Sequence, residues 1–76
     1  MDKAQWALNL LKDDMYIEMM ESLKAIELNK FATSAPDEIE VREQAYYRLA
    51  SLDLVSSYLE SMAAQKLIDA KKLKIL

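Results

Sequence analysis

Apolar residues recur at steps of three and four along most of the chain. From Asp14 to about Phe31, Tyr16, Met19, Met20, Leu23 and Ile26 keep that spacing, and Glu18, Glu21, Lys24 and Glu27 hold the opposite side. This is the period of an amphipathic helix, and about seventeen residues of it span ~25 Å. A shorter segment, about residues 3–12, carries Trp6, Leu8, Leu10 and Leu11. Asp2 is placed to cap its start, with Gln5 three residues on as the reciprocal partner. Asp13 and Asp14 offer a second capping point. The chain either restarts there or runs on, and a restart or kink is the preferred reading.

The one strong break is Thr33-Ser34-Ala35-Pro36-Asp37-Glu38-Ile39-Glu40. Pro36 disfavours the α region for Ala35. Asp37 followed by Glu40 reads as a capping box, and Ser34 with Pro36 just inside the helix is a nearby alternative start. The acidic group Asp37, Glu38 and Glu40 suits the positive end of a helix macrodipole. Arg42 stands one turn after Glu38, in position to pair with it. The hinge is therefore expected over residues 32–37 and the next helix over about 38–66. Gln65-Lys66-Leu67 is the expected point of fraying, ahead of a basic tail over 67–76. Continuation to Ala70 or beyond stays open, because no glycine marks an end.

On a helical wheel this longer helix has two apolar faces. One holds Val41, Ala45, Leu49, Leu52, Val55, Leu59 and Met62; the other, roughly opposite, holds Tyr47, Ala50, Leu54 and Tyr58. Arg42, Asp53, Ser57 and Glu60 share a polar side. A five-residue connection folds two helices antiparallel, but one neighbour buries only one face. The second face needs either Trp6, Leu10 and Leu11 folding back over it or another chain. Regularly spaced tyrosine and leucine favour the second alternative.

Composition narrows this further. The 76 residues include no glycine, no cysteine, no histidine and one proline. Without cysteine and histidine there is no disulfide, no usual zinc or transition-metal site, and no nucleophile system built on a Cys–His or Ser–His pair. Without glycine there is no phosphate-cradling loop. Small chains lacking disulfides and metals depend on dense helix packing or association. Glu18 with Glu21, and Glu40 with Glu43, stand at i, i+3 spacing, but a di-iron bundle also needs histidine, so these read as solvated carboxylates. Asp13 and Asp14 are too few for a calcium loop. Met15, Met19 and Met20 read as core gap-fillers. No cofactor and no metal site is expected.

Net charge is −3 but unevenly spread: through Gln65 there are 6 basic and 12 acidic residues, and from Lys66 onward four lysines face Asp69 alone. Lys66, Lys71, Lys72 and Lys74 complement a helix C-terminus and are candidate tail contacts to a protein partner. Phosphate binding by this cluster is the alternative, which the acidic body and the lack of tail aromatics oppose. No apolar run exceeds three residues, so no membrane-spanning helix is expected, and no signal peptide is legible at the N-terminus. A cytoplasmic location is expected.

The order Leu10-Leu11-x-Asp13, an amphipathic helix, Thr33-Ser34-x-Pro36-Asp37, Arg42-Glu43-x-x-Tyr46, Leu49-x-x-Leu52-x-x-Val55 and Leu59-Glu60 resembles a group of short helical-hairpin proteins of tailed bacteriophages. The resemblance spans roughly residues 10–67, and Gln65 stands where such proteins often have glycine. It implies a phage origin and a role in virion assembly or as an accessory factor in the host cytoplasm or virion. Arg42, Glu43 and Tyr46 alone also resemble a stretch of the hairpin adaptors that target cyanobacterial antenna complexes for degradation.

The expectation is an all-α single domain. It is an antiparallel helical hairpin with a short N-terminal helix, assembling into an oligomeric bundle. It is read as a non-enzymatic protein-interaction module using Tyr47, Ala50, Leu54 and Tyr58, with self-association and a further protein partner. The alternative is a small nucleic-acid-associated regulator or packaging factor using the lysine tail.

Overall fold

The structure, a computed structural model, describes residues 2–75, with side chains through Lys66 and at Ile68. It is all-helical, with no strand among the described residues: α1 runs Lys3–Lys12, α2 Asp14–Thr33 and α3 Ile39–Ile75. No helix among the described residues is long and apolar enough to cross a membrane.

Local chemistry sets most boundaries. Asp2 Oδ1 accepts from the Gln5 backbone N–H at 2.7 Å, which satisfies a free donor at the start of α1. The Gln5 side chain does not return the bond; its Nε2 donates to Asn9 Oδ1 one turn on, at 2.8 Å. The chain does restart at Asp13. Its backbone is extended, its N–H closes α1 on the Leu10 carbonyl at 3.1 Å, and its Oδ1 caps α2 by accepting from Tyr16 N at 2.9 Å. One residue thus ends one helix and begins the next.

The connection between α2 and α3 must turn without glycine, and no described residue has positive φ. The hydroxyls of Thr33 and Ser34 donate to the Asn29 and Phe31 carbonyls at 2.7 and 2.9 Å, a role a C-terminal glycine motif often fills. Glu38 N then bonds Ala35 O at 3.0 Å across Pro36 and Asp37. Proline at the second position suits a type I turn, and the absence of positive φ excludes type II. The break lies over residues 34–38, shifted later than the expected 32–37. The expected cap at Asp37 is also displaced. Helix α3 starts at Ile39, and Glu38 reaches back so that its Oε1 accepts from Ala35 N at 2.8 Å.

Arg42 does not pair with Glu38 through its side chain. Its guanidinium spans the turn instead, donating to Ser34 Oγ at 3.1 Å, Ala35 O at 2.7 Å and Pro36 O at 2.9 Å. The planar fork of arginine suits several acceptors at once.

Both α1 and α2 pack on α3. Asp2 meets Lys66 at 3.2 Å, Lys24 meets Asp53 at 3.4 Å, and Glu27 meets Arg48 at 3.5 Å. The partner's number falls along α3 as the number rises along α1 and α2. Ala7, Leu59 and Ala63 form the buried centre, flanked by Leu8, Leu10, Leu11, Tyr16 and Met62. Met20 and Ala45 are buried nearer the turn. The expected inner face of α3 is largely found: Ala45 and Leu59 are buried, and Val41, Leu49, Leu52 and Met62 are half-buried, but Val55 stays exposed.

The inner face of α2 is not the expected one. Met20 is buried and Tyr16 half-buried, yet Met19, Leu23 and Ile26 are exposed, and Glu27, assigned to the solvent side, is 7% exposed. The apolar band of α2 is wider than one helix contact, and α3 meets it off-centre, where Lys24 and Glu27 find Asp53 and Arg48.

The molecule measures 60 × 21 × 16 Å with a radius of gyration of 17.1 Å. A compact domain of this length would have roughly 11 Å. The length comes from α3, whose 37 residues span ~55 Å. Its expected end near Gln65-Lys66 is not observed, because no helix-breaking residue intervenes and the helix runs on to Ile75. The backbone of residues 67–75 is therefore helical rather than a separate tail.

Candidate functional site

The features that stand out are apolar surfaces. Among the described side chains no large one is fully buried, and three of the buried apolar residues are alanines: Ala7, Ala45 and Ala63. The small side chains let α1, α2 and α3 approach closely, but they contribute little buried area. Much of the large apolar inventory stays outside. Met15 is 75% exposed, Leu54 72%, Tyr58 67% and Tyr47 65%.

A groove of about 550 Å³ lies between α1 and α3. Trp6 and Leu10, with Tyr16 from the start of α2, form one wall, and Leu54, Val55 and Tyr58 form the other, with Leu59 between them. Trp6 comes to the rim because Ala7, its neighbour in sequence, is the residue α1 turns inward. The Tyr16 hydroxyl is buried without a hydrogen-bond partner, an unsatisfied donor beneath an otherwise apolar wall. The volume falls in the usual range for ligand pockets, but the convergent polar groups that orient a small substrate are missing. The groove is suited to apolar contact.

Two smaller hollows of about 260 Å³ lie toward the turn. One is bounded by Phe31, Ile39, Arg42, Glu43 and the Tyr46–Tyr47 pair, whose rings stand edge to face at 5.8 Å. The other lies over Glu27 and is bounded by Leu23, Arg48, Ser51 and Leu52. Glu27 Oε1 takes both Lys30 at 3.3 Å and Arg48 at 3.5 Å, while its Oε2 is buried with no partner.

The four residues read from sequence as an interface, Tyr47, Ala50, Leu54 and Tyr58, are all exposed on α3. Only Leu54 and Tyr58 of the four reach the groove. Leu10 and Leu11 do not cover this face. Both pack beside the Ala7 centre, Leu10 with Trp6 also lining the groove, and Leu54 and Tyr58 stay 72% and 67% exposed. Sequence reasoning missed Val55, which it had assigned to the inner face, and Tyr16 as a wall residue. The 4-3-4 spacing of Ser51, Val55, Tyr58 and Met62 was the available signal.

Of the candidate tail lysines, Lys66 is held by Asp2, which ties the start of α1 to α3. The Asp2 carboxyl is lowered below its ordinary value, first by the Gln5 backbone N–H and then by the Lys66 ammonium. The side chains of Lys71, Lys72 and Lys74 lie outside the described residues. No group of three or more histidine, cysteine, aspartate or glutamate side chains among the described residues could hold a metal ion. No protein-family model, curated protein or solved structure matches the chain.

Proposed function

We propose that the protein is a non-enzymatic interaction module: an antiparallel helical hairpin that acts by associating with other chains, copies of itself included, through its helix faces. The observation that carries this is the mismatch between its apolar content and its burial. With 53% hydrophobic residues, the chain leaves Met15, Leu54, Tyr58 and Tyr47 roughly two-thirds or more exposed and fully buries no large described side chain. A small domain stabilised by neither metal nor disulfide depends on apolar burial, and association supplies what one hairpin lacks. Contiguous exposed apolar surface on a small protein is also the usual mark of an interface.

The deciding measurement is sedimentation equilibrium over a wide concentration range. A mass above the 8.8 kDa of one chain, returning toward it on dilution, is the expected result. A single chain at every concentration, with no partner recovered by crosslinking in its native host, would refute the reading. A role in virion assembly rests on the phage resemblance alone, and the neighbouring genes test it.

A further inference from the structure

We infer that the occupant of the apolar groove is a second copy of this chain, packed face to face so that two hairpins close a four-helix bundle. This rests on the interaction reading above and adds the surface and the partner.

The geometry that points there is the placement of two apolar seams on the same side of the molecule. On α2, Tyr16, Met19, Leu23 and Ile26 follow at steps of three, four and three; on α3, the apolar Val55, Tyr58 and Met62 follow at three and four, and Ser51, four residues before Val55, continues the row as a small polar residue whose hydroxyl is turned onto the Tyr47 carbonyl. Alternating steps of three and four are the spacing of a helix seam that packs on another helix. Tyr16 shares the groove with Val55 and Tyr58, and Leu23 shares a second hollow, nearer the turn, with Ser51. The two seams therefore flank one side of the α2–α3 contact. The Lys24–Asp53 ion pair marks the other side: at about 100° per residue, Lys24, Ile17 and Leu28 fall on the opposite flank of α2.

A hairpin with a seam on each helix, both facing one way, is half of a four-helix bundle. Its width argues for a pair of helices as occupant and against a single one. The area agrees. Trp6, Met19, Ile26, Leu54, Val55 and Tyr58 are 48–72% exposed. At about 200 Å² for a large apolar side chain they present on the order of 700 Å². A standard interface takes roughly 800 Å² from each partner. The face is self-complementary in chemistry, which a two-fold axis requires.

The test uses the full chain and substitutions at residues already exposed in the protomer. Met19→Lys and Tyr58→Lys probe the inferred face; Ile17→Lys and Leu28→Lys probe the opposite flank. By sedimentation at about 100 µM, where an interface of this size is filled, the native chain is expected at twice the protomer mass. Met19→Lys and Tyr58→Lys are expected to weaken the dimer at least tenfold, and Ile17→Lys and Leu28→Lys to leave it unchanged. Trp6, the single tryptophan, reports independently, its emission shifting to the red as the dimer dissociates on dilution. If the lysine variants lose helix as well, crosslinking decides. The chain has no cysteine, so Val55→Cys should join to a second copy through a short bis-maleimide and Leu28→Cys should not. A native dimer that ignores Met19→Lys and Tyr58→Lys but fails with Leu28→Lys overturns the face while the interaction reading stands. A larger closed assembly overturns the two-copy bundle. A monomer at every concentration removes the inference together with self-association.

Discussion

Arg42 holds the turn of a chain that has no glycine to make one, and replacing it gives the sharpest test of how this fold is joined. Its guanidinium donates to Ser34 Oγ and Ala35 O, both part-buried, and to Pro36 O at the surface. A typical intramolecular hydrogen bond contributes about 1 kcal/mol net, and a charged donor contributes more. The exposed bond to Pro36 is discounted to near zero. Arg42→Ala is therefore expected to cost about 2 kcal/mol. Arg42→Lys keeps the charge but has one point donor in place of a fork, so it reaches one acceptor and costs about 1 kcal/mol. For a chain of this length these correspond to roughly 10 °C and 5 °C in Tm. The assay is thermal and urea unfolding by far-UV circular dichroism. Protein concentration must be held equal, because an associating chain has a concentration-dependent midpoint. A change within about 0.5 kcal/mol for Arg42→Ala, the range of an ordinary surface substitution, would refute the reasoning. So would Arg42→Lys matching the native chain.

Three further outcomes are expected. Asp13→Ala removes the cap of α2 and should lower stability by about 1 kcal/mol in urea unfolding, whereas Asp13→Asn should retain most of it. Glu27→Met removes a buried acceptor with no partner and should be neutral or slightly stabilising. Arg48→Met alone leaves the buried Glu27 carboxylate with Lys30 as its one cation and should cost about 1 kcal/mol, a loss the double substitution recovers in a mutant cycle. The Asp2 carboxyl is lowered in the folded chain from its ordinary 3.8, so its contribution to stability is present above that value and lost as pH falls through the folded one. The stability difference between the native chain and Asp2→Asn should accordingly be visible at pH 7 and close below about pH 4.

The parts of the fold that were legible are the local ones. Asp2 and Asp13 cap because an aspartate Oδ reaches an N–H two or three residues on in any context, so their positions carry their roles. The break near Pro36 was legible for the same reason, since proline restricts its neighbour and itself. The start of α3 lies at Ile39 rather than directly after Asp37, and the Glu38 carboxylate turns back to Ala35 N. Arg42 was assigned a partner one turn away, but it found three acceptors on the far side of the turn. Those acceptors converge only once the turn has closed.

The sequence by itself determined that this protein is helical, where α1 and α2 begin, and roughly where the chain turns. Period, capping residues and proline are local instructions that act before any long-range contact forms. Only the tertiary structure decided which sector of α2 is inside. Its apolar band covers more than one contact, and the packed sector is the one holding Tyr16, Met20 and Glu27, off-centre from the face that hydrophobicity alone marks. That choice buried Glu27 and left Met19 and Ile26 exposed, as Val55 and Tyr58 are on α3. The face on which the proposed function rests thus comes from how two helices dock, a relation between residues far apart in sequence, Glu27 with Arg48 and Lys24 with Asp53.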